Sequence, residues 1–485
     1  MRNGFLVLSG LGLGALGSYA CSDSNDDGPQ DSSTEDGSLA ADGFTEDGGE
    51  LLDAGKIGDA TDVSDSSEIE DAGDAGDAGD AAPWHTVLGQ NFSVNDVLTT
   101  PSGLTYLVGA RSVAGVLRGV VVRLLANGQL DVSFGVAGYA DVVLSQTTAN
   151  QPMRGILQAN GQLVMIGVVY SSPWDLVMTR LDGAGSIDAT FGTSGVTRMH
   201  AGVGNDLPFG IAPGPLGGSI FTGLAFGATN FQSEIVVGRV DANGGLDATF
   251  DGDGMALTSI GGTNGGRGIG LLSQDRVLVA AQSENVDEML LLRFTTAGAL
   301  DPTFSAGQDA GGKVIPAGAR ILRFASASSC SPDGLHKDGS GKWVIYGNGS
   351  VPGADAGTTR SAMVAARVDE DGVLDPTFHN GGGPFYLTPT GSSKAYSFAS
   401  QAGGRAILAG GVYEGPLAPF DSTKYWPGFV ALDTSGNRDV AALLQGFYVP
   451  HAYPGSDGLV AALPNGHFVA VVSKASAVEA FEMVP

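Results

Sequence analysis

The stretch Gly185-Ser186-Ile187-Asp188-Ala189-Thr190-Phe191-Gly192, led by Arg180, is one copy of a pattern that recurs along the chain. The frame is Arg, four residues, Gly, any residue, Leu or Ile, Asp, two residues, Phe. It returns as Arg123-Gly128-Asp131-Phe134, Arg239-Gly244-Asp247-Phe250, Arg293-Gly298-Asp301-Phe304 and Arg367-Gly372-Asp375-Phe378. A worn sixth copy keeps Gly436 and Asp439 but has Ala431 and Ala442 where Arg and Phe would stand. Between copies lies a second marker, a tight turn followed by a short apolar strand that often ends in glycine. It reads Ser102-Gly103 then LTYLVG, Asn160-Gly161 then QLVMIG, and Leu216-Gly217 then GSIFTG. The later copies are Gln274-Asp275 with RVLVAA, Ser340-Gly341 with KWVIYG, Gly403-Gly404 with RAILAG and Asn465-Gly466 with HFVAVV. These seven turns stand 56 to 66 residues apart.

Each unit reads as four strands: one before the turn (Pro152 to Gln158 in the second unit), one after it, one leading to the arginine (Asp175 to Leu181), and one beyond the Asp-Phe segment (Gly195 to Ala201). Glycine and asparagine at the turns supply the backbone freedom that tight hairpins need. A lone four-stranded sheet of this kind leaves both faces apolar, whereas copies set around an axis bury those faces and leave only short edges. The expected fold is therefore all-β, a seven-bladed propeller with four-stranded blades over residues 84–485. The first marker occurs seven times and the second six. The seventh unit thus lacks its own outer strand, and Trp84-His85-Thr86-Val87-Leu88-Gly89 is expected to provide it. Blade five is expected to carry an insertion around Ser326 to Lys342 that includes Cys330.

Gly-x-Leu-Asp-x-x-Phe-Gly at this spacing resembles the delta-60 repeat, with five close copies across residues 84–485. That resemblance implies a propeller in a bacterial secreted or surface protein. It brings no activity, substrate or catalytic residues.

Composition narrows the classes further. Glycine numbers 77 of 485 residues without an every-third-residue period, which excludes collagen. Net charge is −28, so phosphate-driven nucleic-acid binding is not expected. The charge is uneven: 20 of the 52 acidic residues, and one base, Lys56, lie between Ser22 and Pro83. This Asp, Gly, Ala and Ser-rich stretch lacks apolar periodicity and reads as an extended, disordered tether over residues 21–83. Ahead of it, residues 1–20 read as a signal peptide, with Arg2 before the apolar run Gly4 to Gly17, too short to span a membrane. Ser18-Tyr19-Ala20-Cys21 resembles a lipobox in which Cys21 is lipidated, although Ser18 and Tyr19 depart from its usual residues. The expected partner is then a membrane, reached through an outer-membrane or cell-surface lipid anchor. Cleavage by ordinary signal peptidase, giving a soluble secreted propeller, is the alternative. The chain is expected to be a monomer. Cys330 is left without a partner cysteine, either buried and inert or a reactive thiol.

The recurring Arg and Asp are expected to pair and to cap backbone groups between blades, because a site used once does not need the same residues around a ring. Calcium is the sharper reading of Asp241, Asn243, Asp247, Asp251 and Asp253, whose oxygens alternate around glycine turns. No other metal and no cofactor is expected. Long, variable connections on one face point to binding there, with Trp174, Phe231, Tyr425 and Trp426 as aromatic contacts. The six histidines stand singly, and neither a phosphate loop nor a Gly-x-Ser-x-Gly elbow occurs. The sequence therefore favours a non-catalytic binding or scaffold module for glycans or partner proteins. The alternative is a hydrolase or lyase acting on extracellular polysaccharide or peptide from the axial channel. A cluster of His, Asp or Glu at the axis with a bound metal would favour the enzyme, and a channel lined by Gly, Ala and Val, with aromatics on the loop face, the binder.

Overall fold

A computed structural model describes residues 83–484 except 90–91, 143, 146–147, 228–231, 285, 306–313, 323–328, 353–357, 380–384, 388–391, 415–423, 442–446, 449, 451–455 and 474–476. The strands form seven antiparallel four-stranded sheets, the blades of a propeller. Blade one runs outward through Phe92–Thr99, Thr105–Val113, Val116–Leu124 and Tyr139–Val142. The innermost strands of blades two to six are Asn150–Leu157, Asp206–Pro213, Asn264–Leu271, Ser329–Lys337 and Ser392–Ser400. Second strands such as Leu163–Val169 are buried along their whole length. Facing sheets share these side chains: Val108 and Val121 of blade one pack with Leu163 and Met165 of blade two.

Blade seven is a composite of Gly458–Ala462, Phe468–Ser473, Val478–Met483 and, as its outer strand, His85–Leu88. His85 pairs with Phe481 and Leu88 with Val478, so the expected closure is present. The expected insertion in blade five is corrected. Ser329–Lys337 is that blade's inner strand, and Asp338 to Gly341 form its first turn. The extra length lies upstream, between Phe304 and the outer strand Ala319–Leu322 of blade four; Pro332 and the sparse apolar residues of this region hid its period.

The five repeated arginines fasten blades one to five each to the following one. Arg123 Nε donates to Asp131 at 2.8 Å and its Nη1 to the Gly183 carbonyl of blade two at 2.6 Å. Arg180 likewise joins Asp188 to the Ala242 carbonyl, and Arg239 joins Asp247 to that of Thr296. Each guanidinium also lies over the phenylalanine of its own motif, 4.5 to 5.1 Å from the ring centre. Four of those rings, Phe134, Phe191, Phe304 and Phe378, meet the motif glycine of the next blade. A Cβ on Gly185 would lie 2.9 Å from Phe134, and one on Gly436 2.2 Å from Phe378. At Gly128 of blade one the corresponding contact is Trp84, also at 2.2 Å. An indole from the N-terminal segment thus fills the place that a motif phenylalanine holds between other blades.

Candidate active site in the axial channel

The inner strands do not pair evenly with their neighbours. In blades one to six the register shifts at one residue: Asn95, Met153, Phe209, Arg267, Asp333 and Tyr396. Such a bulge adds a residue and re-aims side chains. The second-strand glycine of the repeat marks the place. A Cβ on Gly109, Gly167, Gly223, Gly347 or Gly410 would come within 1.9 to 2.2 Å of an inner-strand carbonyl beside the bulge. In blade seven Val472 stands there, and Gly458–Ala462 pairs without a shift. In blade four Ala281 takes the place of this glycine, with Gly266 opposite it, and the shift at Arg267 is still present; at the other five positions a Cβ would run into the inner strand.

Five of the six bulged residues, all except Met153, line an axial cavity of about 370 Å³, together with Asp96, Arg154, His336, Tyr346 and Phe398. Six equivalent positions therefore hold six different side chains, in a fold that elsewhere repeats its residues. Asp96 accepts from the Gly155 N–H at 2.9 Å and the Val97 N–H at 3.0 Å, while burial pushes its carboxyl up. Arg154 donates to the Asn95 and Met153 carbonyls at 2.8 and 2.9 Å. Arg267 lies over the Phe209 ring, 4.1 Å from its centre, and burial lowers its pKa. Asp333 accepts from Asn348, whose Oδ1 accepts from the Ala395 N–H at 3.0 Å. Burial raises Asp333 to about 6, against the opposing pull of Arg267, Lys394 and Arg154. Burial lowers His336 to about 4, so its imidazole is neutral at pH 7. Its Nε2 lies 3.1 Å from Ser400 Oγ and its ring 5.3 Å from that of Phe398. Tyr346 stacks on Phe398 at 5.8 Å, and its phenol is raised by burial. Behind this wall, Tyr425 donates to Asp457, whose carboxyl burial raises to about 6. The channel thus offers a carboxyl that exchanges protons near neutrality, a neutral imidazole, phenols, and aromatic faces.

Sequence reasoning missed these residues because it searched for repetition, and they are where repetition stops. The second-strand glycines were the available signal. Trp174 is half-buried, edge-on to Tyr170 at 4.9 Å and packed with Met153 and Leu207. Tyr425 and Trp426 are half-buried at the start of Tyr425–Leu432, and Tyr425 reaches inward to Asp457 and Tyr396. Phe231 and Cys21 lie outside the described residues. Cys330 is buried in the apolar layer between blades four and five.

The calcium candidates are not gathered around one centre. Asp241 Oδ1 accepts from the Asn243 and Gly245 N–H groups, Asp247 binds Arg239 and Thr249, and Asp253 accepts from the Met255 N–H. Asn243 gives its carbonyl to the Gly192 N–H, and the Asp251 N–H bonds to Ala297. Among the described residues no group of three His, Cys, Asp or Glu side chains is placed to hold a metal.

By sequence, a profile described as a domain of unknown function (DUF5122) beta-propeller matches residues 101–134, from the first turn to Phe134. No curated protein matches the chain. Among solved structures, polysaccharide lyase Uly1 is 8% identical with a TM-score of 0.42, covering 80% of this chain and 89% of that one. A PL25 ulvan lyase bound to -[GlcA(1-4)Rha3S]- is 10% identical with a TM-score of 0.30, covering 84% and 80%. The PQQ-bound aldose sugar dehydrogenase of Streptomyces coelicolor is 11% identical with a TM-score of 0.34, covering 68% and 93%. The likeness is one of fold alone. The expectation of a module without catalysis is nevertheless corrected. The axis of this chain holds Asp96, Asp333 and His336 where a binder was expected to have Gly, Ala and Val.

Proposed function

We propose that this chain is an extracytoplasmic propeller that takes extracellular polysaccharide into its axial channel and cleaves it by acid–base chemistry. The observation that carries this reading is Asp333. A carboxyl that titrates near 6 can give and take a proton at physiological pH, as general acid–base catalysis requires. It sits in a cavity with the aromatic surfaces of Phe209, Tyr346 and Phe398, which suit the apolar faces of sugar rings. Asn348 orients the carboxyl, and Arg267 stabilises its charged form. The signal-like N-terminus, Cys21 as a lipid attachment point, the acidic tether and the likeness to delta-60 repeat proteins agree with work at the cell envelope, which we propose with it.

The test is cleavage of a panel of neutral and acidic polysaccharides, read both as new reducing ends and as ultraviolet absorbance of an unsaturated product. The first signal alone indicates hydrolysis, and the two together indicate elimination. Asp333→Asn is expected to lower kcat about 100-fold while leaving the fold intact. Binding without turnover across the panel would refute catalysis, and turnover unaffected by Asp333→Asn would remove Asp333 from it.

A further inference from the structure

We infer that Arg267 seats an acidic group of the saccharide, so that the channel takes a glycan bearing carboxylate or sulfate rather than a neutral one. This rests on the glycan reading above. The motif arginines are fully engaged: Arg293, for instance, binds Asp301, Thr303, Asp371 and the Glu370 carbonyl. Arg267 belongs to no repeat. It sits on the bulge of blade four, lines the cavity, and is 7% exposed. Among the described residues its side chain makes no hydrogen bond and no ion pair, and its Nε is buried without a partner. Asp333 supports its charge from a distance, and the Phe209 face supplies a cation–π contact. Neither uses the hydrogen-bonding fork of the guanidinium. Burying that fork unpaired is unfavourable, and a planar anion accepting from two of its N–H groups removes the penalty. Nearby Arg154 adds positive potential, while its Nη1 donates to two carbonyls.

The experiment titrates the purified chain with tetragalacturonate, its methyl ester, a sulfated galactan oligosaccharide, its desulfated form, and free galacturonate and inorganic sulfate, by calorimetry. At least one acidic oligosaccharide is expected to bind tenfold or more tightly than its neutral counterpart. Arg267→Met is expected to abolish that preference without lowering Tm, because no hydrogen-bonded or ion-paired partner is lost and the methionine still packs on Phe209, and Arg267→Lys to restore part of it. The uronate and sulfate arms distinguish the two sources of the acidic group. Equal affinity for acidic and neutral partners would overturn the inference and leave the glycan reading standing. Arg267-dependent binding of free anions with no saccharide bound would retain the anion seat and overturn the glycan reading. An acidic preference that survives in Arg267→Met, or no binding of any acidic probe, would overturn the assignment to this residue.

Discussion

Asp333 sets stability against chemistry within one side chain. Its folded pKa is raised from 3.8 to about 6. Its contribution to stability is therefore complete below pH 3.8 and is lost as pH rises through 6. The charges facing it are Arg267 from blade four, Lys394 from blade six and Arg154 from blade two, with Asn348 from its own blade. Asp333→Asn should match the native protein near pH 3.5 and exceed it above pH 6.5. Two pK units set a ceiling of about 3 kcal/mol, which water in the channel reduces to about 1 kcal/mol. Thermal melts across this range check it, and a gain at pH 7.5 no larger than at pH 3.5 would refute the linkage. Asp188 runs the other way. The Thr190 hydroxyl, with Arg180, holds it down to about 2, so its support is lost as pH falls from 3.8 through 2. Two buried arginines differ as sharply. Arg293→Met strands Asp301 in the interior and should destabilise by about 3–5 kcal/mol in urea melts. Arg267→Met strands no ion-paired partner and should not. Equal losses would contradict the distinction between a clamp and a seat.

At the scale of the strand, the second-strand glycine of blades one, two, three, five and six has its reason in the inner strand opposite. Gly347→Ala would set a Cβ 2.2 Å from the Ser331 carbonyl, against the strand that carries Asp333. The bulge must flatten or the strands separate, so a loss of about 1–3 kcal/mol is expected, with a larger loss of turnover. Gly403→Ala is the control, because nothing lies within 4 Å of a Cβ there and its φ is not positive. Similar losses for both would show that the bulge does not depend on this glycine. The same pairing marks what could be read in advance. Strand order, the composite blade and the Arg-Asp pairs were legible because burial and hydrogen bonding impose them again in every blade. Asn95, Arg267, Asp333 and Tyr396 were not, because a bulge only re-aims a side chain and leaves its identity free. The second-strand glycine was visible, but its cause lies some fifteen residues away across a hairpin. The aromatics Trp174 and Tyr425 drew notice by type and connection length, whereas packing turns them inward.

For the whole molecule the decisive contact is the seam between blades seven and one. At four other seams a motif phenylalanine packs on the next blade's glycine, as Phe134 does on Gly185 and Phe378 on Gly436. At the seam Trp84 lies against Gly128, Thr86 donates to the Gly128 carbonyl at 2.7 Å, and the Glu482 N–H bonds to the Trp84 carbonyl. His85 Nε2 adds a contact to Glu479 at 2.9 Å. Closure brings the inner strands around one channel, so the seam governs the site even though it lies at the rim. Trp84→Ala removes the wedge and should cost about 2–4 kcal/mol, toward the lower part of the range for large aromatic deletions because the ring is half-buried. Trp84→Phe restores the side chain used between the other blades and should recover most of that loss. Deletion of Trp84 to Gly89 should go further, lowering Tm sharply and exposing Val478–Met483 as an unpaired edge open to proteolysis. A deletion variant with native Tm and native protease resistance would mean that His85–Leu88 does not hold the ring closed.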